Sequence, residues 1–267
     1  MSMYETLREL HHGARPLLLP NAWDHASAAA LYEEGFAAVG TTSLGVAAAA
    51  GLPDGTGAAR AQTLALGRGL AKLPVPVTVD IEGGFSEDPE DVAGLAAELS
   101  AAGVAGVNLE DGLPDGTLTG PDRHAAKISA VKQAAPRLFV NARTDTHWWQ
   151  AEPTVSAAVR RTQAYAAAGA DGVFVPGLAA EADITALVGE SPVPVNVLFS
   201  PGSHTYARLA ELGVARVSLG SLLFRAALGY AVDTALSVAD PERAASGAPA
   251  YGVPGYGQVQ GLAGHTG

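Results

Sequence analysis

A (β/α)8 barrel of the TIM type is the fold class that this sequence predicts, on three observations. Short β-branched runs alternate with Ala-rich stretches of helical length, each run bounded by Gly or Pro. The alternation repeats eight times without a long interruption. The passage from helix to strand recurs as EEGFAAVG, SAAGVAGV, AAAGADGV and ELGVARV, where a glycine closes the helix in left-handed geometry and a strand starts at once. Eight successive βα units close most simply into a barrel; a doubly wound open sheet is the alternative. A chain of 267 residues can hide about 70% of its unfolded surface in one large core.

Taken in order, the apolar run PLLLP between two prolines gives a strand at 16–20, followed by an Ala-rich helix at 25–34. FAAVGTT gives the second strand at 36–42, with a helix at 58–72. VPVTVDI gives the third at 75–81 and a Pro-started helix at 89–102. The remaining strands fall at 105–109, 138–143, 171–175, 193–198 and 215–219, and the helices at 123–135, 154–168, 181–188, 203–212 and 221–238. Residues 1–240 read as one barrel domain. Residues 241–267 are rich in Gly, Pro and Ala with little periodicity, and read as a C-terminal tail or an arm contacting a neighbouring subunit.

Composition narrows the function. Sixteen basic against 27 acidic residues leave a formal charge of −11 with no basic cluster, so nucleic acid is not an expected partner. Zero cysteine removes disulfides, thiolate metal sites, Fe–S clusters and thiol nucleophiles together. The opening MSMYETLRELHHGARP has neither the basic start nor the apolar run of a signal peptide, and the apolar stretches are broken before spanning length. A cytoplasmic protein without a membrane segment is expected. No Walker loop or strand-flanked dinucleotide fingerprint occurs.

Strands buried on both faces should be nearly all apolar, so charge at their carboxyl ends needs a reason. The third ends VTVDIEGGF, the fourth VNLEDG and the fifth VNARTD. A period of two puts Asp80 and Glu82 on one face, Asn108 and Glu110 on another, and Asn141, Arg143 and Asp145 on a third. In a barrel these faces converge on one mouth, where uncompensated carboxylates would cost several kcal/mol or take up protons. A divalent cation relieves this, and hard oxygen donors without His or Cys point to Mg²⁺, or Mn²⁺, keeping several waters. The structural alternative is ion pairing of Asp80, Glu82 and Glu110 with Arg143 and local amides. Arg143, the basic residue read at an inner strand end, can fork onto a substrate carboxylate or phosphonate, or bridge to Glu110 or Asp145. VGTTSLG can present backbone N–H groups to an oxyanion, or simply turn.

At these residues the sequence resembles the phosphoenolpyruvate mutase and isocitrate lyase superfamily. The matching segments are LLLPNAWDHASA, AVGTTSLGVAAAAGLPDG, PVTVDIEGGF, GVNLEDG, FVNARTD, GADGVFVPG, PVNVL and GVARVSLG, spread from Pro16 to Ala235. The resemblance implies a barrel whose eighth helix is exchanged between subunits, giving homodimers or homotetramers. It also implies Mg²⁺ at the mouth and a small 2-oxo or 2-hydroxy carboxylate substrate, cleaved or rearranged next to its 2-oxo group through a metal-bound enolate. By the same resemblance Asp80 touches the metal, and Asp54, Glu82 and Glu110 hold its waters; Asp54, Glu110 and Arg143 are the catalytic set. Ser43, Leu44 and Gly45 hold the 2-oxo acid by backbone amides, Arg143 binds its carboxylate, and Asp80 completes the substrate contacts. Read from its place at the end of the seventh strand, Asn196 points toward the ligand or satisfies local backbone groups. Two departures stand out. Glu82 replaces a common Asp, and the loop after the fourth strand, EDGLPDGTLTGPDRHAAK, is short and lacks the Lys-Lys-Cys or Lys-Arg-Cys motif.

Because that loop cysteine is held to protonate the enolate in the lyases, its absence argues against true isocitrate or methylisocitrate lyase activity. The expected function is a Mg²⁺-dependent lyase that cleaves a C–C bond, or decarboxylates, beside the 2-oxo or 2-hydroxy group. The alternatives are P–C bond chemistry on a phosphonopyruvate-like acid, and a non-catalytic 2-oxo acid binding protein. Lesser signals are read structurally. His124 with Asp122 and Arg123 reads as a solvated helix start rather than a substitute acid, and His11–His12 as surface. His204 reaches the mouth or follows a Ser203 cap. Trp148 and Trp149, beside His147, cover the pocket or fill a subunit contact. Ser129 to Lys132 matches S-x-x-K but lies mid-helix without its companion motifs.

Overall fold

The computed structural model describes residues 1–240 and 252–263. After helix α1 (Met3–Leu10), the chain runs β1 (Leu17–Leu19), β2 (Asn21–Ala22), α2 (His25–Glu33), β3 (Val39–Thr41), α3 (Ser43–Ala49), α4 (Arg60–Leu70) and β4 (Val77–Asp80). It continues through α5 (Pro89–Ala101), β5 (Gly106–Glu110), α6 (Pro121–Ala134), β6 (Phe139–Arg143), α7 (Val155–Ala167), β7 (Gly172–Phe174) and α8 (Glu181–Glu190). Then come β8 (Val195–Leu198), α9 (Tyr206–Glu211), β9 (Arg216–Ser218), α10 (Leu222–Ala239) and α11 (Tyr256–Leu262).

The strands are all parallel, in the order β1-β9-β8-β7-β6-β5-β4-β3-β2. Nine strands are the expected eight with the first split at Pro20. β1 pairs with β9, β2 pairs with β3, and the one residue between them has no N–H to donate. The segment 17–22 therefore closes the sheet into a barrel by changing partner along its length. Asn21 stitches the seam: its Oδ1 accepts the N–H groups of Leu219 (3.0 Å) and Gly220 (2.9 Å), and its Nδ2 donates to the Thr41 carbonyl (2.8 Å). A Cβ on Gly40 would lie 2.8 Å from that Nδ2, so only glycine fits opposite.

The barrel-helix interface follows the alternation of the strands. Val79, Val107 and Val140 pack outward on Leu64, Leu95, Leu99 and Ile128, while Val173, Val197 and Val217 meet Ile184, Leu187 and Leu209. α1 plugs the amino-terminal end, with Leu7 buried among Leu17, Leu19, Ala105 and Phe139. Among the described residues, α3, which follows β3 at once, and α11 fall outside the sequence reading.

Several expectations are corrected. His11 is not a surface residue: it is 4% exposed, its ring stacks on Phe139 at 4.3 Å, and Nδ1–H donates to the Leu7 carbonyl at 2.7 Å. Ending α1, it is carried beneath the barrel, and burial lowers its pKa to about 3; His12 is exposed as read. His124 is fully buried edge-to-face on Tyr165, its pKa lowered to about 4 by burial, whereas Asp122 and Arg123 are solvated. The cap of α9 is Thr205, not Ser203. α10 does reach spanning length, with 18 residues of mean hydropathy 1.3, although it carries Arg225 and Asp233. Only Gly229 of that helix is buried.

Part of the expected tail, residues 241–251 and 264–267, lies outside the described residues. The part between them returns to its own chain. Pro254 O accepts Arg225 Nη1 (2.9 Å), Asp233 accepts the Gly252 N–H (3.1 Å), and α11 packs on α3.

Two predictions follow from the seam and the buried imidazoles. Asn21→Ala strands three polar groups and lowers the unfolding free energy by about 2–4 kcal/mol in urea denaturation. Both histidines ionise below their ordinary 6.5 when folded. The unfolded chain therefore gains protons first as pH falls, and stability declines from pH 6.5 toward about 3 to 4. The double variant His11→Leu/His124→Leu should flatten that acid limb, read as unfolding free energy against pH.

Candidate active site

The carboxyl ends of parallel strands point to one rim, and the loops leaving them surround a cavity. Its polar wall holds Asp54, Asp80, Asn108, Glu110, Arg143 and Asp145 with Ser43 and Leu44. Sequence periodicity placed Asp80 at the end of β4, Asn108 and Glu110 on β5 and Arg143 on β6, and register confirms their adjacency: Asp80 lies beside Asn108, and Glu110 beside Arg143.

Arg143 is the hub. Nη1 meets Glu110 Oε2 at 2.7 Å, Nε meets Asp145 Oδ1 at 2.6 Å, and Nη2 donates to Asp145 Oδ2 at 3.2 Å. The guanidinium lies 5.7 Å from the Phe174 ring and 6.0 Å from Trp148. Burial works against its charge, but Asp145, Glu110 and Asp80 raise its pKa well above the ordinary value. Burial pushes Glu110 well up and also raises Asp145 and Asp80; Arg143 opposes each shift. The bridging reading of Arg143 is thus the one realised here, and it keeps the guanidinium at the cavity wall.

Asp54, in the loop before α4, is held by α11. Tyr256 O–H donates to its Oδ2 (2.6 Å), and Gln260 bonds both its N–H (3.1 Å) and its carbonyl (3.0 Å). Tyr256 also stands edge-on to Trp148 at 5.3 Å and lines the cavity. Its own ionisation is pushed up by burial and by Asp54. Nothing in the Gly/Pro-rich segment marks this tyrosine as a site residue. α3 starts at Ser43, and Thr42 before it makes no side-chain capping bond, so the first-turn amides of Ser43, Leu44 and Gly45 have no hydroxyl partner from it. Gly45 does not line the cavity; a Cβ there would meet Thr42 and Trp23, each at 2.8 Å.

Three sequence expectations need correction. Glu82 does not share the cavity with Asp80. Strand geometry ends at Asp80, Glu82 takes φ +50°, and its side chain turns to an adjoining cavity, where Oε2 accepts the Gly57 N–H at 2.8 Å. Glu110 lines both cavities and connects them. Asn196 lies one inward position below Leu198, which takes the mouth; it is buried, off the cavity wall, and both its amide atoms lack partners. Arg143 is not alone among inward-facing basic residues. Arg216 on β9 is fully buried, donating to Ser218 (2.9 Å) and Asn108 (3.3 Å), and burial lowers its pKa to about 9.

The sequence reading also missed Asp111. Pointing opposite to Glu110, it accepts the Asp145 N–H (2.9 Å), Tyr165 O–H (2.5 Å) and Arg161 Nη1 (3.2 Å), which anchors the strand end carrying Asp145. The short loop after β5 folds back on itself through a Gly112–Leu118 bridge. His204 belongs to a neighbouring cavity, bonded to Ala179 O at 2.7 Å.

Among the described residues, no three His, Asp or Glu side chains converge to ligate one ion directly. The donor set still suits a hydrated cation. Asp54 Oδ1 and Glu82 Oε1 are buried oxygens without partners, and Glu82 is pushed up to about 7, first by burial. Mg²⁺ keeps several waters and takes one or two carboxylates, so outer carboxylates can meet it through water.

The site is thus a parallel α/β barrel with acidic residues and, among the described lining residues, one guanidinium at its carboxyl rim. Residues 7–239 match the family model for phosphoenolpyruvate phosphomutase, and the chain belongs to this family, within the phosphoenolpyruvate mutase and isocitrate lyase superfamily of C–C lyases and mutases. An uncharacterised protein of Mycobacterium tuberculosis is 45% identical over 238 residues, 89% of this chain and 90% of its own. The 2-methylisocitrate lyase of Bacillus subtilis is 36% identical over 197 residues, 70% of this chain and 64% of its own. The crystal structure of a candidate phosphonomutase from Burkholderia cenocepacia J2315 superposes with a TM-score of 0.83 at 42% identity, over 88% of this chain and 98% of that one.

Removing the hub isolates two buried carboxylates. Arg143→Gln is expected to lower the unfolding free energy by about 3–5 kcal/mol at neutral pH, measured by chemical denaturation, with a smaller loss in acid, where the carboxyls are protonated.

Proposed function

We propose that this protein is a Mg²⁺-dependent lyase, with Mn²⁺ as a substitute, that breaks a C–C bond or removes CO₂ beside the 2-oxo or 2-hydroxy group of a small carboxylic acid. The observation that carries the reading is the juxtaposition in one cavity of Asp80, Glu110 and Asp54 with Arg143 and the start of α3. When bound, the metal supplies Lewis-acid stabilisation of the oxygen that gains charge. Asp80 would hold it, and Glu110 and Asp54 would hold its water shell.

The other roles belong to the chain itself. The backbone N–H groups of Ser43 and Leu44 donate to the 2-oxo acid oxygens, and Arg143 exchanges part of its pairing with Glu110 for the substrate carboxylate. Glu110, freed of that partner, has a pKa raised by burial and can take a proton from the substrate. The cleaved bond leaves its electron pair on the carbon next to the 2-oxo group, and a proton from water completes the product. No cysteine is available for that last step in this chain.

A homo-oligomer fits the largely uncovered apolar α10, and a cytoplasmic location fits the acidic, cysteine-free composition. The test is turnover of a panel of 2-oxo and 2-hydroxy acids with and without Mg²⁺. Asp80→Ala should lower the Mg²⁺-dependent rate by at least about 100-fold. Release of phosphate or a phosphonate would favour the P–C reading, and metal-independent binding without turnover would favour a binding protein.

A further inference from the structure

Strands β5 and β9 stand on opposite sides of the barrel: with the split β1–β2 segment counted as one, three strands separate them in either direction. Arg216 on β9 crosses this interior. Its Nε donates to Ser218 Oγ on its own strand at 2.9 Å, and its Nη2 donates to Asn108 Oδ1 on β5 at 3.3 Å. The side chain is fully buried, and Nη1 has no hydrogen-bond partner among the described residues. Both bonds go to neutral oxygens, so no carboxylate in contact repays the desolvation of this cation.

Asn108 shows what the crossing achieves. Its Oδ1 also accepts Asn141 Nδ2, from the adjacent position on β6, at 2.9 Å. A guanidinium can only donate, so the oxygen of the Asn108 amide faces Arg216 and the NH₂ group faces the other way. Asp80 stands on that side, next to Asn108 in register, and the Asn108 side chain hydrogen-bonds its carboxylate. The Glu82 N–H donates to Asp80 Oδ1 at 3.1 Å, and the Asp80 N–H donates to Thr41 Oγ1 at 2.9 Å. Those two contacts come from fixed backbone groups. The contact from Asn108 could turn over, because a flipped amide would set oxygen against oxygen, and the guanidinium is what opposes the flip. Asp80 in turn supports the charge of Arg216 against burial.

We propose that Arg216 is a positioning residue for Asp80: from the far side of the barrel it fixes the Asn108 amide, and through that amide it aims the carboxylate at the cavity. Arg216 does not line the cavity itself, whereas Asn108 and Asp80 do. The proposal rests on the reading above that Asp80 holds a divalent cation.

The experiment is titration of the full chain with Mn²⁺, read by the electron paramagnetic resonance of the free ion. The charge of Arg216 and its bonding act in opposite senses, since a nearby cation repels a metal ion. Arg216→Lys keeps the charge and removes the fork that spans Ser218 and Asn108. Asn108→Leu should raise the Kd for Mn²⁺ at least about tenfold, and Arg216→Lys at least about threefold. Because Arg216 acts through Asn108, the double variant should bind no more weakly than Asn108→Leu alone. Ser218→Ala, which frees Nε, takes the place of Arg216→Lys in the same cycle if the lysine variant does not fold. Unchanged or tighter Mn²⁺ binding by the Arg216 variant, or effects that multiply in the double variant, overturns this inference and leaves the functional reading standing. No Mn²⁺ binding by the unmodified protein overturns both.

Discussion

Burying several carboxylates at one rim is the constraint on which the rest of this structure depends. Glu110 and Asp145 would not stay ionised in that setting alone, and Arg143 between them offsets the loss of water with three short contacts. Asp111 extends the arrangement outward. By accepting the Asp145 N–H together with Tyr165 and Arg161, it ties the rim of β6 to α7. Such a pattern is a poor source of net stability, because ion pairs in a low-dielectric site barely recover their desolvation. Its value lies in holding charge ready at a defined place, which is what chemistry on a small anion requires.

The barrel makes that placement possible because parallel strands send their carboxyl ends to one side. Residues far apart in sequence, Ser43, Asp80, Glu110 and Arg143, become neighbours through successive crossovers. Closure of the cylinder depends on a local exception. Pro20 interrupts the first strand, and the Asn21 side chain supplies the hydrogen bonds that join the last strand to the second. The same residue lines the cavity, so the seam of the fold and the floor of the site share a side chain.

The carboxyl-terminal segment contributes more than its composition announces. α11 brings Tyr256 and Gln260 onto Asp54, so the loop that carries this carboxylate is braced from a helix some two hundred positions downstream in the chain. The short loop after β5 closes on itself through its Gly112–Leu118 bridge, and the aromatic pair Trp148 and Tyr256 lines the cavity.

The barrel, its eight units and the charged strand ends could be read from the sequence, because helix and strand periods and the cost of burying charge are local rules. Asp80, Glu110 and Arg143 were legible for that reason: each breaks an apolar strand pattern at its end. Glu82 was misplaced because alternation stops where a strand stops, and the left-handed backbone at that residue turns its side chain away. Asn196 and Arg216 obey strand periodicity, but how deep an inward side chain lies depends on where its strand crosses the rim. His11 and His124 look polar in sequence; only the packing of α1 on Phe139 and of α6 on Tyr165 buries them. Sequence alone determined which residues could carry charge into the barrel. Tertiary structure decided which of them meet, since pairing, desolvation and depth depend on neighbours that no local pattern encodes.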